Sequence, residues 1–416
     1  MTIAVILLAL LAVFARPLWQ QYRLSMARKC LRTHQVDEAL VWLEAAEAHN
    51  SDDAEVQFLM ARTHRRRGAF ELCRRHVQEA WRLGFPVQRL EREQWLALAQ
   101  SGQIDEAEPH LDELLADPQG DVQEICDAYV AGYLRVYRFD PALELLDAWQ
   151  ADFPKDPQPL FWRARIWEHT FADHKAVDLY REAVELAPYR TDLRSDLAAL
   201  LSERREFDEA EEHFRHCAKE APDNIEILAG WGNCLLEQQQ TDRARKLFSQ
   251  ALEKDPTHFQ ALYGLGRLEL RAGEKHEALK WLELAYEQNP KHSRMRFALA
   301  SALRDTGQTQ AAKAHYQYYT DAKKALDELD DLMGQVFNEP DLVETRYQVG
   351  MKLIEYVSSV QGAIWLQSVL QLDPSHAPTH EALAAHYAEQ DKPDVAEKHR
   401  RLAAEARDKP ASSEGK

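Results

Sequence analysis

Apolar, small and turn-forming residues return along this chain with a period of 34 positions. The prolines at positions 154, 188, 222, 256 and 290 are each 34 residues apart. Proline lacks the amide hydrogen and pushes the preceding residue out of helical geometry, so each one marks the end of a helix. Between two such prolines, apolar or small residues at helical spacing predict two helices per period. From Ile225 to His258 these residues are Leu228, Trp231, Gly232, Leu235, Ala244, Phe248 and Ala251.

This period resembles the tetratricopeptide repeat, which is a pair of antiparallel helices with small residues at the crossing and often a proline after the second helix. The unit that starts at Phe259 keeps the pattern and departs from it only at Glu269. The resemblance implies an all-α fold, a right-handed superhelical solenoid of about eleven antiparallel helix pairs preceded by one N-terminal apolar helix. The units start near Gln20, Ala54, Gln88, Gln123, Pro157, Thr191, Ile225, Phe259, Ser293, Val343 and Ala377.

One position of the repeat tests this frame. When each unit is numbered so that its proline falls at 32, position 20 lies where the two helices of a pair approach most closely. A large side chain there would hold the helices apart, so the frame predicts small residues. The residues at this position are Ala39, Cys73, Ala107, Ala142, Ala176, Ala210, Ala244, Ala278, Ala312, Gly362 and Ala396.

The repeats differ in regularity along the chain. Residues 20–122 are predicted to form irregular units, and residues 123–322 are predicted to form well-formed ones. Trp95 and Val130 occupy position 8, which is small in the regular units. We expect these two bulky side chains to change how their units pack.

Toward the C-terminus the repeat frame slips by 16 residues. Residues 323–342 are therefore predicted to form an extended or additional helix that ends at Pro340. The last units and a cap follow over 343–408, where charged Arg400 replaces the usual aromatic residue, as a solvent-facing cap requires. Residues 409–416 are predicted to be a disordered tail.

The first 19 residues are predicted to be a transmembrane anchor. The run from Met1 to Ala15 carries no charge, and Arg16 and Pro17 end it. At about 1.5 Å per residue, this run is shorter than a hydrocarbon core of roughly 30 Å unless Arg16 snorkels. Basic residues after the run favour a single-pass membrane protein with its repeats in the cytoplasm. A cleaved signal peptide, which would export the repeats, is the alternative.

Composition limits the classes of function. Hydrophobic residues make up 45% of the 416 residues and charged residues 29%, which is typical of folded proteins. The net charge of −18 disfavours nucleic acid as a partner, because phosphate binding needs clustered cations. The five cysteines include no C-x-x-C pair, so we expect neither a disulfide framework nor a zinc knuckle.

Few features of the sequence point to catalytic or metal-binding chemistry. His213, His216 and Cys217 have a spacing that could bind a metal, but Cys217 falls at a small buried position, so packing is the favoured interpretation. The chain lacks a phosphate-binding glycine loop, a G-x-S-x-G elbow and an H-E-x-x-H motif. We therefore expect no enzyme activity, no cofactor and no catalytic or metal site.

Arginines and aromatic residues recur along one stripe of the first helices. The resemblance implies that this stripe lines a concave groove. The candidate groove residues are Arg62, Arg66, Phe161, Arg165, Asn233, Tyr263, Arg267, Arg271, Phe297, Arg304 and Tyr347. Arginine pairs well with carboxylates and aromatic rings anchor peptides, so the stripe predicts binding of protein or peptide segments with acidic groups. A merely solvated face is the alternative. Asn233 has Ala229 four residues earlier in place of a lysine, which disfavours the carboxylate clamp of some family members.

Two functional hypotheses follow. The first is a scaffold or adaptor at a bacterial inner membrane, whose plan resembles that of the lipopolysaccharide assembly protein B family. That family ends in a rubredoxin-like domain with two C-x-x-C pairs, and this chain has none after Cys234. The alternative is a regulatory or substrate-selecting subunit of a multi-chain enzyme complex, for example a transferase.

Overall fold

The computed structural model describes residues 18–169, 173–339 and 341–408, and within these ranges it contains helices and no strand. The all-α fold is therefore confirmed for this part of the chain. The helices group into two compact units, of which unit 1 ends at Trp162 and unit 2 begins at Arg163. The sequence places the change in regularity elsewhere, between residues 122 and 123.

Unit 1 is built mainly from antiparallel helix pairs. Its helices are α1 (residues 18–32), α2 (Val36–Glu47), α3 (Ala54–Arg66), α4 (Phe70–Arg82), α5 (Val87–Ser101), α6 (Ile104–Ala107), a 3-10 helix (Glu108–His110), α7 (Leu111–Ala116), α8 (Val122–Arg135) and α9 (Phe139–Asp152). The boundary between the units falls within α10 (Gln158–His169).

Unit 2 continues the pairs to residue 408. Its remaining helices are α11 (Asp173–Leu186), α12 (Thr191–Glu203), α13 (Phe207–Glu220), α14 (Ile225–Glu237), α15 (Thr241–Lys254), α16 (Phe259–Ala272), α17 (Lys275–Gln288), α18 (Ser293–Asp305), α19 (Thr309–Asn338), α20 (Val343–Tyr356), α21 (Ser359–Leu372), α22 (Ala377–Glu389) and α23 (Pro393–Asp408). Within unit 2, α14, α16 and α18 lie side by side, since each contacts the next.

The column of small residues at position 20 forms the core of the pairs. All eleven of these residues are buried. Gly362 shows why the column must be small, because a Cβ atom built there would lie 2.5 Å from the carbonyl oxygen of Gly350 on the partner helix. The closest approach of the two helices thus sets the residue size that the sequence displays.

Turns of two kinds separate the helices. The prolines at 154, 188, 222, 256 and 290 lie in the turns after second helices, as their spacing predicts. Most turns inside a pair place one residue in the left-handed region, where side chains with a Cβ are strained. Glycine fills this site at 68, 102, 273 and 307, whereas other residues with positive φ fill it at 34, 137, 205 and 239. The turn between α20 and α21 is an exception, since Val357 and Ser358 have φ −123° and −152°.

The third pair of unit 1 is broken. Its second helix is replaced by α6, the 3-10 helix and α7, and α8 packs directly against α5. A Cβ atom at Gly132 of α8 would lie 2.0 Å from the carbonyl oxygen of Ala99, so only glycine permits this approach. Trp95, one of the two bulky exceptions, stacks on His110 of the 3-10 helix at a ring distance of 3.7 Å.

The second helix of the pair formed by α18 and α19 is unusually long. Helix α19 has 30 residues and continues without a break from Thr309 to Asn338. Its second half buries Ala322, Ala325 and Leu329, and the helix packs against α20. The residues assigned by the sequence to an extended or additional helix are thus the end of a single helix that joins two successive pairs.

The predicted single-pass membrane location needs correction. Among the helices of the described residues, none is long and apolar enough to cross a membrane. The N-terminal apolar helix is likewise unsupported. The predicted anchor over 1–19 falls almost wholly outside the described residues, which begin at Leu18, and the predicted tail over 409–416 falls outside them completely.

Candidate binding faces

The candidate groove residues of α14, α16 and α18 come together on one surface of unit 2. Arg267 and Arg271 of α16 both reach Glu237 of α14, and Arg271 does so at 3.0 Å. Burial acts to raise the pKa of Glu237, but the two guanidinium groups prevail and hold this pKa below its ordinary value. The Arg267 guanidinium also lies 5.4 Å from the ring centroid of Tyr263. Two cations on this surface therefore share one carboxylate.

Phe297 of α18 is the most exposed aromatic ring of this surface, with 45% of the residue accessible to solvent. Its ring centroid lies 5.5 Å from that of Tyr316 and 4.8 Å from that of Tyr319, both on α19. Ser301, one turn after Phe297, forms a hydrogen bond of 3.0 Å with the Tyr316 hydroxyl. The three rings form an aromatic step at the edge of the surface.

Two further arginines contribute charge beside these rings. Arg304 is exposed and pairs only with the neighbouring Asp305, at 3.0 Å. Arg294 is exposed and lies close enough to Tyr263 to act on its pKa, which burial raises. We call this surface the unit 2 face, and its residues are Glu237, Tyr263, Arg267, Arg271, Arg294, Phe297, Ser301, Arg304, Asp305, Tyr316 and Tyr319.

Asn233 lies on α14, the helix that carries Glu237. Its Oδ1 atom is buried, and no described residue donates a hydrogen bond to it. Ala229, one turn earlier, is also buried and offers no charge to a ligand. The expectation that a carboxylate clamp is absent from this helix therefore stays a prediction with a local structural reason.

Arg165 of α10 lies in a separate, half-buried cluster of charges. It pairs with Glu168 at 3.1 Å, and the Tyr180 hydroxyl donates to Glu168 at 3.2 Å. Burial raises the pKa of nearby Asp196 to about 6, although Arg165 acts in the opposite direction. The other candidate of this helix, Phe161, packs edge-on against its neighbour Trp162.

Tyr347 of α20 lies at the other end of unit 2. Its ring lies 5.2 Å from that of His376, and it lines an open cleft of about 710 Å³ between α19 and α20. The cleft is bordered by Asp321, Lys324, Glu328, Asp331, Met351, Lys352, Glu355 and Tyr356. Carboxylates outnumber lysines there, so this cleft has a different character from the unit 2 face.

Arg62 and Arg66 of α3 lie in unit 1, and both are committed to carboxylates inside the fold. Arg62 donates two hydrogen bonds of 3.0 Å to Asp121 and one of 3.1 Å to Glu93. Arg66 pairs with Glu124 of α8. Carboxylates from residues later in the chain pair with both arginines, so neither guanidinium is available in the way a groove ligand requires.

Arg65 is the centre of this network. Arg65 and Glu93 are both 0% exposed, and their side chains are joined by a hydrogen bond of 2.6 Å. Arg65 also reaches Gln100 at 2.5 Å and pairs with Glu124. Although burial acts to raise it, the neighbouring guanidinium groups hold the pKa of Glu124 well below its ordinary value. The network joins α3, α5 and α8 through charge and serves the fold.

The three residues of α13 whose spacing could bind a metal lie in an environment of packing contacts. Cys217 is fully buried, and burial raises the pKa of its thiol to about 11. His213 contacts Arg194 at 3.1 Å, and burial and this cation lower its pKa, while His216 points to solvent. The arrangement agrees with the structural role that the sequence favours for Cys217.

Sequence reasoning missed several residues of these surfaces. Tyr316 and Tyr319 belong to a second helix, where the stripe was not sought. The acidic partners Glu93, Asp121 and Glu124 lie on later helices and fall outside any local motif. The available signal was the negative charge of Asp121 and Glu124 at the start of α8, since Glu93 lies in the middle of α5.

Comparisons with known proteins place part of the chain in a family. Residues 229–293 match the tetratricopeptide repeat family. Similar solved structures include YrrB, described as a TPR protein with an unusual peptide-binding site, which is 20% identical with a TM-score of 0.25 and covers 46% of this chain and 91% of its own. PilW, a type IV pilus biogenesis factor, is 19% identical with a TM-score of 0.43 and covers 49% and 93%. Yeast Tom70 is 14% identical with a TM-score of 0.37 and covers 94% and 92%.

No curated protein matches this chain. The resemblance in plan to the lipopolysaccharide assembly protein B family finds no support in these comparisons. The matched segment runs from α14 to the first residue of α18, which includes the α16 part of the unit 2 face. The tetratricopeptide repeat is therefore shown directly for residues 229–293.

Proposed function

We propose that this chain is a non-catalytic scaffold that holds an acidic segment of a partner protein on the unit 2 face. The exposed ring of Phe297 carries the proposal. A large aromatic side chain that stands on a rigid helix and packs against two further rings offers an apolar anchor at little conformational cost. Repeats of this family typically bind proteins or peptides, which makes a partner segment the natural ligand.

The charged residues of the unit 2 face indicate which side chains the partner segment carries. Four arginines stand against the carboxylates of Glu237 and Asp305. Guanidinium groups form two parallel hydrogen bonds with a carboxylate, so unsatisfied donors on this face suit aspartate or glutamate side chains. We therefore propose a segment in which an apolar side chain meets Phe297 and acidic side chains meet Arg267 and Arg271.

The test uses the full chain with a photo-crosslinking amino acid at position 301, between the aromatic step and Arg304. Partners crosslinked in cells are identified by mass spectrometry, and peptides covering the crosslinked segment are titrated by fluorescence anisotropy. Phe297→Ala should weaken peptide binding at least tenfold, which corresponds to about 1.4 kcal/mol. Arg267→Gln combined with Arg271→Gln should weaken it similarly and reduce its dependence on salt.

Two matched substitutions serve as controls. Tyr189→Ala removes an aromatic ring that is 55% exposed in the turn between α11 and α12, away from the face. Arg401→Gln removes an exposed cation of α23. Both should bind the peptide as the unchanged protein does. Equal affinity for the peptide after Phe297→Ala and after the double arginine substitution would contradict the proposal.

A further inference from the structure

Arg89, in the first turn of α5, is a cation for which the described part of the chain supplies no hydrogen-bond acceptor. Its guanidinium carbon lies 4.6 Å from the ring centroid of Phe58 and 5.4 Å from that of Phe85. These two rings are stacked at 4.5 Å and are themselves buried. No carboxylate or carbonyl of the described residues forms a hydrogen bond or ion pair with the Arg89 side chain, which is half-buried.

The charges nearest to Arg89 do not supply an acceptor. They belong to Arg62, Arg92, Asp121 and Glu55. Asp121 accepts two hydrogen bonds from Arg62 and a longer one of 3.5 Å from Arg92, while Glu55 is paired with Arg28. Every carboxylate within reach is therefore already used by another arginine.

Cations are in excess on this surface although the whole chain is strongly acidic. The guanidinium groups belong to Arg28, Arg62, Arg65, Arg66, Arg89 and Arg92, and the carboxylates that face them belong to Glu55, Glu93, Asp121 and Glu124. Burial, and after it the charge of Arg62, lowers the pKa of Arg89. An anion that docks beside Arg89 would remove this electrostatic cost.

We propose that Arg89 is the centre of a second ligand site, on unit 1, that takes the carboxylate side chain of an acidic peptide segment. The stacked rings of Phe58 and Phe85 lie against the guanidinium and restrict its motion, so little side-chain entropy is lost on binding. Arg92 lies on the same helix as Arg89, and Arg28 lies on α1. Both add positive charge to this region, although each is already paired with a carboxylate. This site is separate from the unit 2 face.

A carboxylate side chain fits this surface better than a nucleic-acid backbone does. One unpartnered guanidinium matches one carboxylate in a planar, two-bond arrangement. A nucleic-acid backbone needs a row of free cations, and the other arginines here are held by acids, within a chain of net charge −18. The acidic peptide is therefore the ligand class that the surface favours.

The probe is a fluorescein-labelled hexaglutamate peptide with an amidated C-terminus, titrated with the full chain by fluorescence anisotropy. The titrations use the Arg267→Gln and Arg271→Gln background, so that binding at the unit 2 face does not hide the result. Arg89→Gln should weaken binding at least tenfold, and Arg89→Lys should fall between, because it keeps the charge but loses the planar fork. The matched control is Arg74→Gln, on an exposed arginine of α4 that pairs with Glu71, and it should bind as the background does.

Competition experiments distinguish a peptide carboxylate from other anions as the ligand of this site. Unlabelled hexaglutamate should displace the probe, and inorganic phosphate should do so only at much higher concentration. The proposal is overturned if Arg89→Gln binds as tightly as the Arg74→Gln control. It is also overturned if a hexathymidylate oligonucleotide displaces the probe at lower concentration than the peptide does.

Folding and function are separated by a second measurement. Arg89 makes no ion pair with a described residue, so Arg89→Gln should keep the circular dichroism spectrum and the urea midpoint of the background protein. A lowered midpoint together with lost binding would assign Arg89 a structural role and overturn the proposal. Because the probe is measured in a background that lacks Arg267 and Arg271 of the unit 2 face, failure here leaves the proposed function of that face untouched.

Discussion

The two units use the arginines of their first helices in opposite ways. In unit 1, Arg62, Arg65 and Arg66 of α3 turn into the fold and are neutralised by acids of α5 and α8. In unit 2, Arg271 of α16 and Arg304 of α18 stay exposed beside an aromatic step. The same arginine-rich stripe is thus buried in ion pairs in one region and partly exposed in the other.

The broken third pair explains this difference. Because α6 and α7 are short, α8 lies directly against α5, and its first turn brings Glu124 to Arg65 and Arg66 of α3. In unit 2 the regular second helices α15 and α17 follow the first helices α14 and α16. Among the described residues, Arg267 and Arg271 pair with Glu237 of the preceding first helix and Arg304 pairs with Asp305 of its own helix, and no ion pair joins these arginines to an acid of a later helix. A local defect in the repeat therefore changes the role of residues one pair away.

The largest expected effect comes from opening the unit 1 network. Arg65→Met leaves Glu93 and Glu124 buried without their main partner, and breaking a buried pair costs about 3–5 kcal/mol of unfolding free energy. The measurement is urea-induced unfolding followed by circular dichroism at pH 7. Arg181→Met in unit 2 is the control, because Arg181 joins exposed Glu206 and Glu209 and should cost about 1 kcal/mol or less. Equal losses would remove the distinction between the two units.

A pH-dependent effect of opposite sign is expected in unit 2. The pKa of Asp196 is about 6 in the folded chain, above the ordinary value of 3.8, so the folded state holds this proton more tightly than the unfolded state. The charged carboxylate therefore costs stability above pH 6, and this cost disappears as the pH falls below 3.8. Asp196→Asn should raise the unfolding free energy by about 1–3 kcal/mol at pH 7.5.

The same variant gives its own control. At pH 3.5 the unchanged protein also carries a neutral side chain at position 196, so the two urea midpoints should converge there. A difference that stays constant from pH 7.5 to pH 3.5 would show that Asp196 acts through packing and not through its charge.

The smallest expected effect concerns a feature that the two units share, the left-handed residue in the turn between the two helices of most pairs. Gly273 has φ +82° and open space around it, so Gly273→Ala tests backbone strain alone and should cost about 1 kcal/mol. Gln239 occupies the same site of the preceding pair with φ 64°, and Gln239→Gly should gain up to about 1 kcal/mol. Thermal unfolding measures the shift in melting temperature of each variant. Shifts of the same sign in the two variants would contradict the shared turn geometry.

Much of the helical framework could be read from the sequence, because its signals act between neighbours in the chain. The prolines after second helices end those helices through their own backbone geometry. The small residues at position 20 report the helix crossing through their size, and the structure buries every one of them. The broken pair was signalled by Trp95, although its cause, the contact of α8 with α5 at Gly132, was not visible.

The candidate sites could be predicted only as a stripe. The period placed Arg62, Arg267 and Phe297 at comparable positions of their helices, but it could not tell which of them would be covered. The sequence also offered an apolar N-terminal run as a membrane anchor, and among the described residues no helix of sufficient length and apolarity supports a membrane-spanning location.

What the sequence determined by itself was the helix pair, its period and the identity of its crossing residues, because these depend on local backbone sterics. Only the tertiary structure determined which charged side chains pair inside the fold and which stay exposed. Glu93 lies 28 residues from Arg65 and Glu124 lies 59 residues from it, so their pairing depends on how helices from different repeats come together. The same holds for Arg89, whose lack of an acceptor follows from the pairing of every nearby carboxylate with another arginine.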